Sequence, residues 1–587
     1  MKKIILLLFS LSIFINSCDT PKAIVTKEDH IKVDSISTVI DSVKIKQTDS
    51  LNNVISSYIE ILVSDLDSGN YVIAKQDIFS KSLLPNTYRN TNFSQLWLSE
   101  KNKKDAIYAL QHSDEHGLLP SDYHLVEITE LNNRYSKLSS QERAYLDILI
   151  TDGTILYAYH LIRGKVNPHD LSFSWNFIEH QFPEDTKQYL RKAIDQENLS
   201  EALFNLEPQD EEYLLLKLKL AENKVVIRDG GWEMVKIETP LHEGDSDKGI
   251  LQLINRLTAQ GYYQEEETTL DSLMTANDTL ENNIYNTKLV LAVKHFQKEH
   301  GLNSDGVIGK HTLSLINTSA KEYQKKIICS LERRRWIKYP TDEPYIKVNI
   351  PAYKMEFVED NKAVYSSNVV IGRINKKTPM FTKRLKLVVL NPTWTLPRSI
   401  TTTETLSRLK ANPNYLDKHN MDLIDRNGNV VGNHDIDWHK YKKGHFPYTV
   451  RQGPGPHNAL GQVKFLFPNK YSIYLHDTPS KYLFSKEKRA FSHGCIRLQN
   501  PLNFAEYLLK RENETYWNRK KIDGIIKTSK TKNIRLKHEY PVLIMYMTAG
   551  YSVDGDVFYL EDIYNRDTKL YKKIIERKAV LYNIKLK

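Results

Sequence analysis

Only three cysteines occur in the 587 residues, Cys18, Cys329 and Cys495. The N-terminal apolar run, Ile4 to Ile15, is about a dozen residues, short of the ~20 that a bilayer-spanning helix needs. The sequence has no aromatic-and-glycine RNA-binding pattern, no zinc-finger spacing and no phosphate-cradling glycine loop, so the usual nucleic-acid and nucleotide signatures are missing. What is present is an ordinary globular composition, 40% hydrophobic, 26% charged and 10% aromatic, in a chain long enough for about three or four domains. The net charge of +10 is spread along the chain, and runs such as Arg333-Arg334-Arg335 and Arg519-Lys520-Lys521 are expected to be solvated surface. A mild basic excess suits an anionic polymer without choosing which one.

The N-terminus carries an address. Lys2-Lys3 precede the apolar run, which has the size of a signal-peptide core. Ile15-Asn16-Ser17-Cys18 resembles a bacterial lipobox, so residues 1–17 are expected to be removed and Cys18 lipidated. An uncleaved short anchor is the competing reading; either way the bulk is exported, and lipidation would tether it to a membrane. Asp19 resembles an inner-membrane retention signal, which leaves the leaflet open. With Cys18 acylated, an exported chain would normally pair the other two thiols. Cys329 is instead expected to be a buried small hydrophobe, and no disulfide is predicted.

Composition and period divide the rest into an α+β multidomain chain. Residues 18–86 are polar and read as a tether, with room for a short helix near Val54 to Leu66. Residues 87–240 read as an all-α unit: Leu146, Leu149, Ile150, Ile155, Leu156 and Tyr159 recur at helical spacing, and Gly117 to Tyr123 stops one helix and starts another. A second helical unit spans 245–317, interrupted by an insertion around Gln264 to Asn283. From 343 to 550 the period falls to two, with strands expected at Tyr345–Ile350, Lys386–Leu390, Tyr471–Leu475 and Val542–Met547, and a hairpin turn at Asp554-Gly555. A polar segment, 398–445, mostly helical and then loop-like, interrupts these strands, and residues 551–587 form an extension.

The chemistry is concentrated in Ser492-His493-Gly494-Cys495-Ile496-Arg497, with fifteen residues separating His476 from Ser492. A thiol, a small-residue turn that aims backbone N–H groups and an imidazole on a neighbouring strand make a cysteine acyl-transfer site. Alternation places Ser472, Tyr474 and His476 on one face and Ile473 and Leu475 on the other. The order and spacing resemble the signature of the L,D-transpeptidases, bacterial cell-wall cross-linking enzymes. By that resemblance Cys495 is the nucleophile, His476 the base, and the N–H groups of Gly494 and Cys495 the oxyanion hole, with Ser492 and His493 supporting the loop. His493 is the rival base. A backbone carbonyl is at least as good a candidate as Asp477 for orienting His476. Arg497, Tyr474, Trp394 and Asn458 are expected to contact substrate, Arg497 by holding a carboxylate. His476, His493 and Cys495 would make only three ligands of a zinc site, and the family is metal-free, so no metal or cofactor is expected.

The resemblance extends upstream. Trp97, Gly117, Pro120, Tyr123, Arg163-Gly164 and Pro168 match the helical scaffold domain of the large Gram-negative enzymes, and Gly301-Leu302, Asp305-Gly306, Ile308-Gly309 and Thr312-Leu313 match a three-helix peptidoglycan-binding module. The 398–445 segment matches those enzymes' lid insertion, able to cover the site. The family implies attack of the Cys495 thiolate on the third stem-peptide residue, release of D-Ala, and capture of the thioester by a second stem's amine to give a 3→3 cross-link. It also implies acylation by carbapenems, a periplasmic location, and peptidoglycan rather than nucleic acid as partner. Water as acceptor would give an L,D-carboxypeptidase, another amine an attachment enzyme, and a decayed site a wall-binding lipoprotein.

Overall fold

The computed structural model describes residues 34–81, 83–171, 186–264, 283–434, 436–442, 445–552 and 555–576, so the leader, Cys18 and Asp554 lie outside the described residues. The first helix, Asp34–Asp67, shortens the expected tether. Its Ile55, Ile59, Val63 and Leu66 recur every three or four residues and are buried against the helix Ser140–Arg163. At roughly 1.5–3 kcal/mol for each buried aliphatic side chain, that stripe holds the segment to the helical unit. Helix Ser140–Arg163 is buried on every side, with Leu146, Ile148, Leu149 and Ile150 in one core. Its Asp147 is satisfied by Tyr88 Oη at 2.6 Å and by the N–H groups of Leu96 and Trp97.

The second unit packs helices Ile250–Ala259, Thr287–Glu299 and Lys310–Ile316 around Leu253, Leu257, Leu289, Val293 and Phe296. Gly306, in the left-handed region at φ 79°, makes the turn beside Asp305. Most of the Gln264–Asn283 insertion lies outside the described residues.

The third unit is a barrel. Its strands are β1 Tyr345–Asn349, β2 Lys354–Glu359, β3 Lys362–Gly372, β4 Phe381–Leu390, β5 Val463–Leu466, β6 Leu475–His476, β7 Ala490–Ser492, β8 Ile496–Leu498 and β9 Lys532–Met545. The order is β7-β3-β8-β6-β5-β4-β9-β1-β2, and β2 also pairs with β3, so eight strands close on themselves and β7 adds to the end of β3. Alternation sorts the faces: Val369 and Ile371 join the barrel core, while Val370 faces outward beneath Leu483 and Phe484. The strand expected from Tyr471 begins only at Leu475, because Ser472 adopts φ 55° and cannot continue an extended ladder. Between β4 and β5 the insertion has its own core, with Leu406, Leu409, Leu423, Trp438 and Phe446. It is helical in its first part and then closes with a four-stranded antiparallel sheet that includes Met421–Ile424 and Thr449–Gln452. The hairpin around Gly555 pairs Ala549–Tyr551 with Val557–Tyr559.

Helix Ala320–Trp336 joins the units, and on it the solvated reading of the arginine run fails. Arg333, Arg334 and Arg335 are among the largest fully buried side chains. Successive helical residues point about 100° apart, so the three guanidinium groups reach different neighbours. Arg333 meets Asp567 of the C-terminal segment at 2.6 Å; Arg334 meets Asp210 and Glu212 of the scaffold-side helix; Arg335 meets Glu332 at 2.6 Å and Tyr213 Oη at 2.9 Å. Cys329, on the same helix, is fully buried with its Sγ toward the Asp567 carbonyl. The C-terminal extension is part of the fold: Tyr564, Leu570 and Ile574 complete the barrel's core cluster.

Replacing Arg335 by alanine strands Glu332 as a buried, unpaired charge, and should cost about 3–5 kcal/mol. Arg519→Ala removes an exposed pair with Asp523 and should cost under about 1 kcal/mol. Urea unfolding midpoints of the two variants test the contrast.

Candidate active site

The turn between β7 and β8 presents the nucleophile candidate. Gly494 sits at φ 123°, where a side chain would be strained. A Cβ on Gly372 would lie 2.1 Å from Lys376 O and 3.0 Å from Gly494 Cα, so the turn packs on the end of β3 because Gly372 lacks a side chain. Thr378 Oγ1 donates to Gly494 O at 2.8 Å and accepts from Gly372 N–H at 2.9 Å. Ser492 Oγ accepts from Gly494 N–H at 3.0 Å and donates to Cys495 O at 2.6 Å. The oxyanion assignment therefore changes: Gly494 N–H is already used, whereas Cys495 N–H has no acceptor among the described residues.

Cys495 Sγ lies 3.6 Å from the carbonyl of Ser472, a contact produced by the left-handed kink that ends the expected strand. Tyr474 and His476 remain side by side, their rings edge to face at 5.5 Å, while Ile473 and Leu475 face the core. Parallel pairing of β6 with β8 sets His476 opposite Arg497, two residues beyond Cys495. His476 Nδ1 is bonded to the backbone carbonyl of Asp477, which leaves Nε2 as the working nitrogen. The Asp477 carboxylate turns away to Gln462 N–H at 2.8 Å and to Lys481. No hydrogen bond joins His476 to Cys495 among the described residues.

The electrostatics keep both partners neutral. Burial pushes the Cys495 thiol above its ordinary value, against the opposing pull of Tyr474, Lys464 and Arg497. Burial, with Arg497, Lys464 and Lys481 nearby, lowers the His476 imidazole to about 3. Lys464 Nζ stands 3.9 Å over the Tyr474 ring, bringing a cation close to the thiol.

His493 turns outward. Its Nε2 is 2.6 Å from Glu404 Oε1 and 3.0 Å from Arg373 Nη2. Glu404 belongs to the insertion, on a π-helical turn, Thr401–Thr405. The contact ties the insertion to the catalytic turn and removes His493 as a rival base. Beneath the insertion is a cavity of about 270 Å³ whose lining includes Trp394, Glu404, Arg408, Tyr415, His493 and Arg497. Arg497 Nε has no hydrogen-bond partner among the described residues, so part of the guanidinium is uncommitted beside this cavity. Asn458 does not reach it: Asn458 is buried, donates to Pro392 O and Gly453 O, and accepts from Leu460 N–H, which makes it a brace of the loop. Among the described residues no three His, Cys, Asp or Glu side chains gather as metal ligands. Thr378, Lys464, Arg373 and Glu404 were not singled out by sequence reasoning, and Ser472 was named only for its strand face. All act through contacts distant in sequence, and only the Ser472 kink, in a polar Asn469-Lys470-Tyr471-Ser472 stretch, had a local turn signal.

A raised thiol is protonated at neutral pH and gains thiolate as pH rises. Alkylation of Cys495 by iodoacetamide should therefore increase with pH, with a midpoint above the ~8.5 of a free thiol; a plateau below pH 7 would contradict this. His476 stays neutral down to about pH 3, so its protonation should produce no acid limb between pH 5 and 7. Glu404→Gln weakens the charge-assisted contact to His493 and should raise amide exchange across residues 398–411, read by hydrogen–deuterium exchange mass spectrometry.

Comparison with known proteins matches residues 343–523 to the family described as "L,D-transpeptidase catalytic domain", residues 82–220 to "Scaffold domain" and residues 246–316 to "Putative peptidoglycan binding domain". A Haemophilus influenzae protein named "Putative L,D-transpeptidase" is 32% identical over 321 residues, which cover 54% of this chain and 63% of the relative; the match spans less than two thirds of that protein. A crystal structure of the L,D-transpeptidase (residues 123–326) from Xylanimonas cellulosilytica has 13% identity over 53% of this chain and 99% of its own, with a TM-score of 0.16, too low to bear on the fold. The barrel that carries Cys495 and His476 matches the family of the L,D-transpeptidase catalytic domain over residues 343–523, downstream of the matches to a scaffold domain and to a peptidoglycan-binding domain on the same chain.

Proposed function

We propose that this chain is a peptidoglycan L,D-transpeptidase that works through Cys495. The observation that carries the reading is the pairing of β6 with β8, which sets a buried, neutral His476 with a free Nε2 next to the turn that holds a thiol and an unused backbone N–H. As Sγ attacks the carbonyl of the third stem residue, its proton passes to His476 Nε2, and the oxyanion takes the Cys495 N–H. Because thiol and imidazole both start neutral, this proton transfer accompanies attack rather than preceding it. The tetrahedral adduct then expels D-Ala, whose amine receives the proton from the imidazolium and leaves a thioester. A second stem's side-chain amine attacks the thioester, loses a proton to His476, and releases Cys495 with a new amide bond. The energy of the broken peptide bond is conserved in the thioester, so no nucleotide is consumed.

Arg497 suits a substrate carboxylate at the cavity, with Trp394 and Tyr415 forming its aromatic wall, while Tyr474 is not among the cavity's lining residues and packs on His476. The insertion, fastened through Glu404 and His493, acts as a lid that excludes water in favour of the amine. The same reading places the chain in the periplasm, held to a membrane by acylated Cys18.

Incubation with disaccharide-tetrapeptide, followed by mass spectrometry, should give a cross-linked dimer lighter by one D-Ala. Tripeptide alone would mark a carboxypeptidase, and unchanged substrate a binding protein. Cys495→Ala should abolish turnover and His476→Ala should lower it by about 10²–10⁴-fold. Retained activity in His476→Ala would remove it as the base. Carbapenem should add one covalent adduct to the wild type and none to Cys495→Ala.

A further inference from the structure

Phe491, one residue before Ser492, is 44% exposed and lines a second cleft of about 750 Å³. That volume lies within the ~300–1,000 Å³ of small-ligand sites. The cleft shares no lining residue with the cavity under the lid. Distant parts of the chain meet around it: residues 317–319 just after the peptidoglycan-binding domain, the connecting helix, Tyr353, Ile374, Lys488 with strand β7, and the C-terminal segment 561–568.

The charged groups in its wall already make hydrogen bonds within the fold. Lys325 is held by Glu322 at 3.4 Å and Thr568 Oγ1 at 3.3 Å, Lys488 by Glu561 at 3.2 Å, and Lys326 by the Leu560 carbonyl. Asp562 accepts from Tyr546 Oη and from the N–H groups of Arg566 and Asp567, and Asp567 itself is committed to Arg333. Each of these groups already makes an ion pair or hydrogen bond within the fold, Lys326 and Asp562 with neutral partners, so the wall does not depend on a charged ligand. What the cleft offers is apolar surface and a neutral amide. Ile374 is 68% exposed beside Phe491, and the Asn565 side chain makes no capping bond to the helix it precedes and donates to nothing among the described residues. A ligand with apolar faces, hydroxyl and amide groups and no required charge is an N-acetylated sugar.

We propose that this cleft is a subsite for the glycan strand, in which sugar rings pack on Phe491 and Ile374 and hydrogen-bond to Asn565. The inference rests on the proposed peptidoglycan activity only for the identity of the polymer. The strand would lie between the peptidoglycan-binding domain and β7, with one of its contacts next in sequence to the catalytic turn. Such a subsite favours stems that are still attached to glycan over free stem peptides.

The test uses the full chain carrying Cys495→Ala, so that binding is read without turnover, and glycan strands stripped of their stem peptides. Calorimetric titration should detect binding that falls about tenfold in Phe491→Ala and in Ile374→Asp. Phe491→Tyr, which keeps the aromatic face, should retain it and shows that loss in the alanine variant is not a folding defect. With Cys495 restored, Ile374→Asp should turn over a sugar-free tetrapeptide within about twofold of the wild-type rate. Absence of glycan binding by the parent protein, binding in both variants as tight as in the parent, or an equal loss of turnover on the sugar-free tetrapeptide in Ile374→Asp would each overturn the proposal. Failure of the transpeptidase reading would instead appear as no turnover of any stem, with the binding results unchanged.

Discussion

Three consecutive arginines can be buried on one helix only if carboxylates approach it from several directions. Arg333, Arg334 and Arg335 meet that condition through Asp567, through Asp210 with Glu212, and through Glu332 with Tyr213. An unpaired guanidinium in such a place would be costly, so the scaffold-side helix and the C-terminal segment must both dock for the connecting helix to be buried. The consequence reaches the active site. Arg566 donates to Thr378 O at 3.0 Å, and Thr378 donates through its hydroxyl to Gly494 O. Tyr564 reaches the carbonyl of Gly372 from the same segment. The turn that carries Cys495 thus leans on residues that follow it by about seventy positions.

The same economy of space governs the site. Gly372 leaves room for Gly494, to which a Cβ would come within 3.0 Å, and inside the turn Ser492 accepts from Gly494 N–H and donates to Cys495 O. Ser472 interrupts β6 and turns its carbonyl to the thiol. Burial then raises Cys495 and lowers His476, so the pair is uncharged at neutral pH. Lys464 and Arg497 hold positive charge close to the thiol.

Much of this organisation was legible because it is local. The change from a helical period to a period of two locates the barrel, and alternation correctly pairs Tyr474 with His476 on the face opposite Ile473 and Leu475. The tether was misread because the buried stripe Ile55, Ile59, Val63 and Leu66 is diluted by serine and aspartate on the exposed faces of its helix. Asn458 was placed with the substrate because a polar residue in a glycine and proline loop looks available; its amide is committed to its own loop. Gly494 was given an oxyanion role that Ser492 Oγ pre-empts, a competition between neighbours that spacing cannot resolve.

The sequence by itself determined the order of the helical units and the barrel, the Cys495 and His476 motif and the face on which the imidazole stands, since these follow from residue order and short-range periodicity. Tertiary structure decided which charges are buried, which backbone N–H remains unused, which carbonyl orients His476 and which part of the insertion grips His493. Each of those depends on partners brought together from distant parts of the chain: Glu404 lies 89 residues before His493, and Asp567 lies far beyond Arg333. Hydrogen bonds and ion pairs select by distance and angle, and only the closed barrel with its docked helices sets those.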